Sequence, residues 1–256
     1  MKIRVLGCSG GIGGRHLRTT SFLVDHDVLI DAGTGVADLS LGELAAIDHV
    51  FLTHAHLDHI ACLPLLLDTV MDRRDGRPLT VHAPQAVIDT LTRHIFNWAV
   101  WPDFSAIPDT AAPLLRYAPL EVGESWGDAP RRFTALPAEH TVPAVGYHLA
   151  SSQGSFVFTG DTTCNPALWP LLNAIADLRA LVIECAFPNR EQHLAAVSKH
   201  LCPALLAAEL TAYRGAAEVF VTHLKPGQTE ETMAELEALT GSNVPRMLQH
   251  NQVFAL

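Results

Sequence analysis

Residues 53–59 read Thr53-His54-Ala55-His56-Leu57-Asp58-His59. They follow a β-rich run, His49-Val50-Phe51-Leu52-Thr53, and precede an apolar pattern from Ile60 to Met71 that reads as a helix. His54 and His56 are two apart, so in extended backbone their side chains point the same way. Asp58 and His59 lie at the turn into the helix and can face a second point nearby. Four potential ligands in six residues, arriving off a buried strand, suggest two adjacent cations. The chain carries 14 histidines against 10 phenylalanines. Neutral imidazole is the commonest metal ligand, so the composition points the same way.

Outward from this motif, further candidate ligands stand at strand ends. His140 follows a strand expected near 132–136. Asp161 ends the run Phe158-Thr159-Gly160-Asp161-Thr162, and His223 ends Val219-Phe220-Val221-Thr222-His223. Upstream, Lys2–Leu6 alternates as a strand, and Ser21–Val24 and Val28–Ile30 read as a pair around Asp25-His26-Asp27. Helices are expected over 36–46, 86–95, 194–212 and 230–239. Strands are expected at 80–82, 145–150, 155–159, 181–183 and 218–222. Residues 97–131 are Pro-rich and aromatic without a sustained period, and read as an insertion or lid. The Gly-rich stretch Gly7–Gly14 leads back to a strand, and reads as a tight loop near the site rather than a dinucleotide motif. Local strand pairs followed by strand–helix alternation imply an α/β domain spanning 1–256.

The length of 256 residues buries a real core, and 48% hydrophobic against 17% charged residues excludes a disordered chain. The net charge of −10 argues against a large nucleic-acid surface. No apolar run approaches the roughly 18 residues of a membrane span, and no secretory apolar segment opens the chain. Five cysteines (Cys8, Cys62, Cys164, Cys185, Cys202) without a CxxC pair read as reduced thiols in a cytoplasmic protein.

The order HxHxDH, then His, then Asp in a TGDT context, then His resembles the metallo-β-lactamase fold superfamily over nearly the whole chain. The resemblance implies an αββα four-layer sandwich with a dinuclear site. His54, His56 and His140 would hold one metal, Asp58, His59 and His223 the other, and Asp161 would bridge. Asp31 would support the site without ligating. Two divalent ions are implied, Zn²⁺ first, with Mn²⁺ or Fe²⁺ as alternatives. Two cations against two aspartates leave the site positive, which favours a small anionic substrate. A hydroxide bridging the cations would be the nucleophile.

Finer resemblances point to class II cyclic-nucleotide phosphodiesterases. They are His56–Ile60 with Leu63, His94–Phe104, Ile183–Asn189 and Thr222–Pro226. Cys62 and Asp68-Thr69 depart from that signature. The implied reaction is hydrolysis of 3′,5′-cyclic AMP or GMP to the 5′-monophosphate. Transfer RNA 3′-processing endonucleases come second, because no basic Gly/Pro-rich arm is present. A non-catalytic metal-binding regulator is the reading from another class. Beyond the ligands, His200 is expected to protonate the leaving oxygen, with Asp58 as the catalytic carboxylate beside it. Lys225 is a candidate phosphate contact, Glu184 a supporting carboxylate, and Trp101 a stacking surface for a base, the alternative being that it packs the 97–131 segment. The resemblance also implies a homodimer.

Overall fold

The computed structural model describes residues 1–14, 16–240 and 244–256, the side chain of Thr240 excepted. Along its strands, alternate residues enter two different hydrophobic clusters. In β1 (Lys2–Gly7), Ile3 and Val5 face one cluster and Leu6 another; in β3 (Val28–Ile30), Val28 and Ile30 oppose Leu29. Both faces of such a strand are therefore buried, which requires a layer on each side.

Two sheets meet this requirement. The first contains β1, β2 (Ser21–Val24), β3, β4 (His49–Phe51), β5 (Leu79–Ala83) and β6 (Leu115–Pro119). The second contains β7 (Ser125–Trp126), β8 (Arg132–Pro137), β9 (Val145–Ser151), β10 (Gly154–Phe158), β11 (Leu178–Glu184), β12 (Glu218–Thr222) and β13 (Arg246–Met247). β14 (Val253–Ala255) returns to pair with β1, so each sheet has seven strands among the described residues. α1 (Leu41–Ala46), α2 (Leu57–Ile60), α3 (Leu63–Val70) and α4 (Gln85–His94) belong to the first half. α5 (Leu168–Asn173), α6 (Gln192–Val197), α7 (Pro203–Leu210) and α8 (Thr229–Thr240) belong to the second. Residues of α1, α3 and α4 join the cluster on the outer face of the first sheet. Residues of α5, α7 and α8 join the corresponding cluster on the second. The αββα sandwich follows.

Between the sheets Phe51 stacks on Phe133 at 4.8 Å and meets Tyr147 edge-on at 5.6 Å. Phe51 is fully buried. Phe51→Ala is expected to lower unfolding stability by about 3–5 kcal/mol in a denaturant titration, the range for opening an aromatic-sized cavity.

Topology gathers the carboxyl ends of six strands at one edge. β3 and β4 run parallel, as do β10, β11 and β12. β8 is two antiparallel steps from β10 and so shares its direction. Asp31, His54, His140, Asp161 and His223 lie within three residues beyond these strands, and Glu184 ends β11.

Three expected helices are broken. In 36–46 a 3₁₀ turn, Thr34–Asp38, ends before α1, which restarts at a capping box: Ser40 Oγ accepts from Glu43 N–H, and Glu43 Oε2 accepts from Ser40 N–H at 2.9 Å. The helix expected from Ile60 starts earlier, at Leu57, and breaks at Ala61-Cys62, where Cys62 N–H leaves the helix for the Ala32 carbonyl at 2.8 Å. The 194–212 helix splits into α6 and α7; Lys199 takes a left-handed φ of 52°, and Pro203 opens the next helix. The 97–131 segment also differs from an insertion: its second half supplies β6 and β7, which close one edge of each sheet. Among the described residues no helix is long and apolar enough to cross a membrane.

Candidate metal centre

β4 ends at Phe51, Thr53 and His54 follow within three residues, and His56 caps α2 in extended backbone, with Asp58 and His59 in its first turn. The donor atoms of His54, His56 and His140 lie within 4.8 Å of one another, as do those of Asp58, His59 and His223. Asp161 groups with His54 and His59, one from each triad. Its Oδ2 is 3.7 Å from His54 Nε2 and 3.3 Å from His59 Nε2, and its Oδ1 is 3.3 Å from His223 Nδ1. All seven residues expected as ligands therefore fall in overlapping donor groups.

Three of the clustered imidazoles are aimed by a partner on the far side. Asp31, wholly buried, accepts the His59 Nδ1–H at 2.7 Å and the Thr53 N–H at 2.8 Å. The Thr53 hydroxyl donates to the same carboxylate at 2.9 Å and stands 3.0 Å from His54 Nδ1, from which it accepts. His140 Nδ1–H donates to the Lys199 carbonyl at 3.1 Å. Nε2 of His54, His59 and His140 is thus directed inward. Thr53 and the Lys199 carbonyl were not singled out in the sequence. Thr53 has a signal in standing directly before the motif; a backbone carbonyl has none.

Local backbone makes the approach possible. Gly160 turns at φ 65°, and a Cβ there would stand 2.7 Å from the Val145 carbonyl oxygen. The Gly-rich loop packs on the late histidine: His223 N–H donates to the Cys8 carbonyl at 2.8 Å, and a Cβ on Gly10 would lie 2.3 Å from the His223 carbonyl oxygen.

The electrostatics suit cation binding. Burial holds His54 well below its ordinary pKa, lowers His56, and takes His140 to about 4 and His223 to about 3. These rings keep free lone pairs at neutral pH. Burial alone would lower His59 too, but Asp161 and Asp31 hold it well above the usual value. Burial opposes charge on Asp161, yet His223 and His59 keep its carboxyl well below the carboxylate range. His54 Nε2, His59 Nε2 and His223 Nδ1 are buried and have no hydrogen-bond partner among the described residues. Buried nitrogens converging on carboxylates without hydrogen bonds are what a divalent cation would satisfy.

His200 lies in the break between α6 and α7 and is buried. Its donor atom lies within 4.8 Å of those of His140 and Asp161, and its ring stacks on His223 at 5.2 Å. Glu184 Oε1 accepts from its Nδ1 at 2.7 Å and also from Thr162 N–H at 3.0 Å. Burial disfavours charge on His200, but Glu184 raises its pKa above the ordinary value. Lys225 is drawn aside: its ammonium donates to the Gly10 carbonyl at 2.8 Å and sits 5.5 Å from the Phe187 ring centroid. Trp101 is not among the gathered donors; it packs on the cluster outside the first sheet, where Phe104 is buried.

A family model described as a beta-lactamase superfamily domain matches residues 26–239. Ribonuclease BN of Escherichia coli is 28% identical over 162 residues, covering 58% of this chain and 49% of that protein. The chain thus spans about half the length of the ribonuclease BN relatives it matches. A probable 3′,5′-cyclic-nucleotide phosphodiesterase of Yersinia pestis is 26% identical over 277 residues, covering 88% of this chain and 78% of that protein. The crystal structure of unliganded yeast PDE1 superposes with a TM-score of 0.82 at 20% identity, covering 100% and 99% of the two chains. At that identity the likeness shows the fold alone.

Proposed function

Because the chain belongs to the metallo-β-lactamase superfamily of hydrolases, we propose that its clustered donors form the dinuclear site of a phosphodiesterase acting on 3′,5′-cyclic nucleotides. The observation that carries this reading is the meeting of two donor triads at the one carboxylate of Asp161. His54, His56 and His140 would hold one cation and Asp58, His59 and His223 the other, with Asp161 between them. Mixed nitrogen and carboxylate donors suit Zn²⁺. Two divalent cations would supply positive charge to the phosphate oxygens and lower the pKa of water near neutrality.

The chain's own groups do the rest. Asp31 and Thr53 fix the tautomers of His59 and His54, so that each presents a lone pair. Asp58, a third exposed beside two buried histidines, stands where substrate enters. His200, pinned by Glu184, is the group assigned to give its proton to the leaving 3′-oxygen. Coverage of 88% of this chain by the Yersinia pestis relative supports the cyclic-nucleotide substrate. The ribonuclease BN match favours an RNA diester as the second reading. Free thiols at all five cysteines fit a cytoplasmic setting for a nucleotide substrate.

A substrate panel on metal-analysed protein tests the proposal. It compares cyclic AMP, cyclic GMP, a chromogenic aryl phosphodiester, a transfer RNA precursor and a lactone, with His56→Ala as control. Conversion of a cyclic nucleotide to its 5′-monophosphate, lost in the control, is expected. Turnover of the precursor alone would favour the RNA reading. Metal bound without turnover of any ester would leave a binding protein.

His200→Gln is expected to lower kcat on cyclic AMP by about 10²–10⁴-fold, the range for general acid catalysis. The aryl diester, whose phenolate departs without a proton, should lose far less. Equal losses on both substrates would exclude the proton-donor role.

A further inference from the structure

A cavity of about 400 Å³ opens at the carboxyl edge of the sheets, and the clustered donor His140 is part of its wall. β5 and β6 run parallel to β4, so Pro84 after β5, and Glu121 and Val122 after β6, stand along the edge that carries His54. The loop leading from β8 into β9 supplies the rest of the wall, Val142 and Pro143 among it. The crevice outside the carboxyl ends of parallel strands is where α/β sheets bind ligands. The volume lies in the range of small-molecule sites, roughly 300–1,000 Å³.

Backbone hydrogen bonds tie these walls to one another and to the donors. Leu120 N–H donates to the Ala83 carbonyl at 3.0 Å, and Gly123 N–H to the Ala135 carbonyl at 2.9 Å. Val145 N–H donates at 2.9 Å to the carbonyl of Thr53, the residue before His54. Thr163, two residues past Asp161, donates its N–H to the Glu139 carbonyl at 2.8 Å. A preformed cavity of this kind spends little entropy on ordering when a ligand binds. Among the described residues no lysine or arginine lines it, so it offers nothing to a phosphate. Its lining is mostly aliphatic, and its one carboxylate is Glu121. Gln85 N–H donates to Glu121 Oε1 at 2.8 Å, which holds that group in place. A carboxylate only accepts hydrogen bonds, and it is strongest when two adjacent donors meet it. The chemistry therefore suits a flat, uncharged ring with neighbouring N–H groups on one edge. Guanine offers N1–H and the 2-amino group side by side. Adenine sets its amino group beside a ring lone pair, which a carboxylate repels.

We propose that this cavity seats the nucleoside of the substrate and that Glu121 selects guanine, accepting from its N1–H and 2-amino group while the phosphate reaches the cations that His140 helps to hold. The subsite deepens the cyclic-nucleotide reading and rests on it. The test reads binding rather than turnover, so each can fail alone. Metal-loaded protein is titrated calorimetrically with guanosine, inosine and adenosine 5′-monophosphates and with ribose 5-phosphate, which share a phosphate and differ in the base. Guanosine 5′-monophosphate is expected to bind about tenfold tighter than the adenosine compound and than ribose 5-phosphate, in the range that a bidentate contact to a base provides. The inosine compound lacks the 2-amino group and should fall between guanosine and adenosine. Glu121→Gln keeps an oxygen for Gln85 N–H but replaces the other acceptor with a donor. It should bring guanosine and adenosine to within about twofold of each other and leave ribose 5-phosphate affinity unchanged.

Equal binding of the guanosine and adenosine compounds to the unaltered protein would overturn the subsite. So would ribose 5-phosphate binding as tightly as guanosine 5′-monophosphate, or a guanosine preference that survives Glu121→Gln. A guanosine preference lost in that variant, with no phosphodiester turned over by the unaltered protein, would uphold the subsite and remove the enzymatic reading instead.

Discussion

Asp161→Asn is expected to leave the sandwich folded, lower bound metal from two equivalents to one or fewer, and cut phosphodiester turnover at least about a hundredfold. The size follows from position. Changing a residue that merely supports a metal ligand costs about 10–100-fold, and Asp161 lies nearer than any support. Its two oxygens reach within 3.3–3.7 Å of His54, His59 and His223, so both triads lose the same negative charge. Asparagine keeps the shape but turns one oxygen into a donor that faces unprotonated ring nitrogens or a cation. Elemental analysis and steady-state kinetics on the purified variant check the outcome. Two retained equivalents with turnover near that of the unaltered protein would mean that the triads do not share this carboxylate.

The second large effect is at Asp31. Asp31→Ala is expected to destabilise the fold by about 3–5 kcal/mol, the range for removing one partner of a buried charged pair. It should also weaken metal affinity by about 10–100-fold. The carboxylate is wholly buried and accepts from His59 Nδ1, Thr53 N and Thr53 Oγ1. Its removal orphans three donors and frees one imidazole of each triad to rotate. Thr53→Val separates the two consequences. It keeps the volume and the Asp31–His59 pair but cuts the link to His54, so metal affinity should fall with a much smaller loss of stability. Denaturant unfolding and a competitive chelator titration measure the two quantities. Full metal affinity in both variants would show that these contacts do not aim the ligands.

The strands were legible because their signals are local. Ser21–Val24 and Val28–Ile30 have the bounds that apolar runs around an Asp-His-Asp turn indicate. The seven clustered donors were legible because four fall in one strand-to-helix motif and the others stand just past later strands, in a recognisable order. The helix breaks were not. Apolar periodicity runs through Leu39-Ser40 and Ala61-Cys62, and what interrupts it is a cap in one case and a long-range bond from Cys62 to Ala32 in the other. β6 and β7 were hidden in a Pro-rich stretch because an edge strand needs a neighbour more than a pattern; Leu115–Pro119 is defined by pairing with β5. Two-residue β13 and distant β14 exist through β12 and β1 in the same way. Within the site, the aim of His140 depends on a left-handed turn at Lys199, where no residue type announces it. Lys225 was legible as a cation near His223 but not as one committed to the Gly10 carbonyl.

Reconstitution tests the dinuclear account most directly. Protein stripped of metal is titrated with Zn²⁺ while turnover of a chromogenic phosphodiester is followed. No activity is expected before metal is added, with a plateau only at two equivalents per chain. A plateau at one equivalent, or activity indifferent to metal, would contradict it.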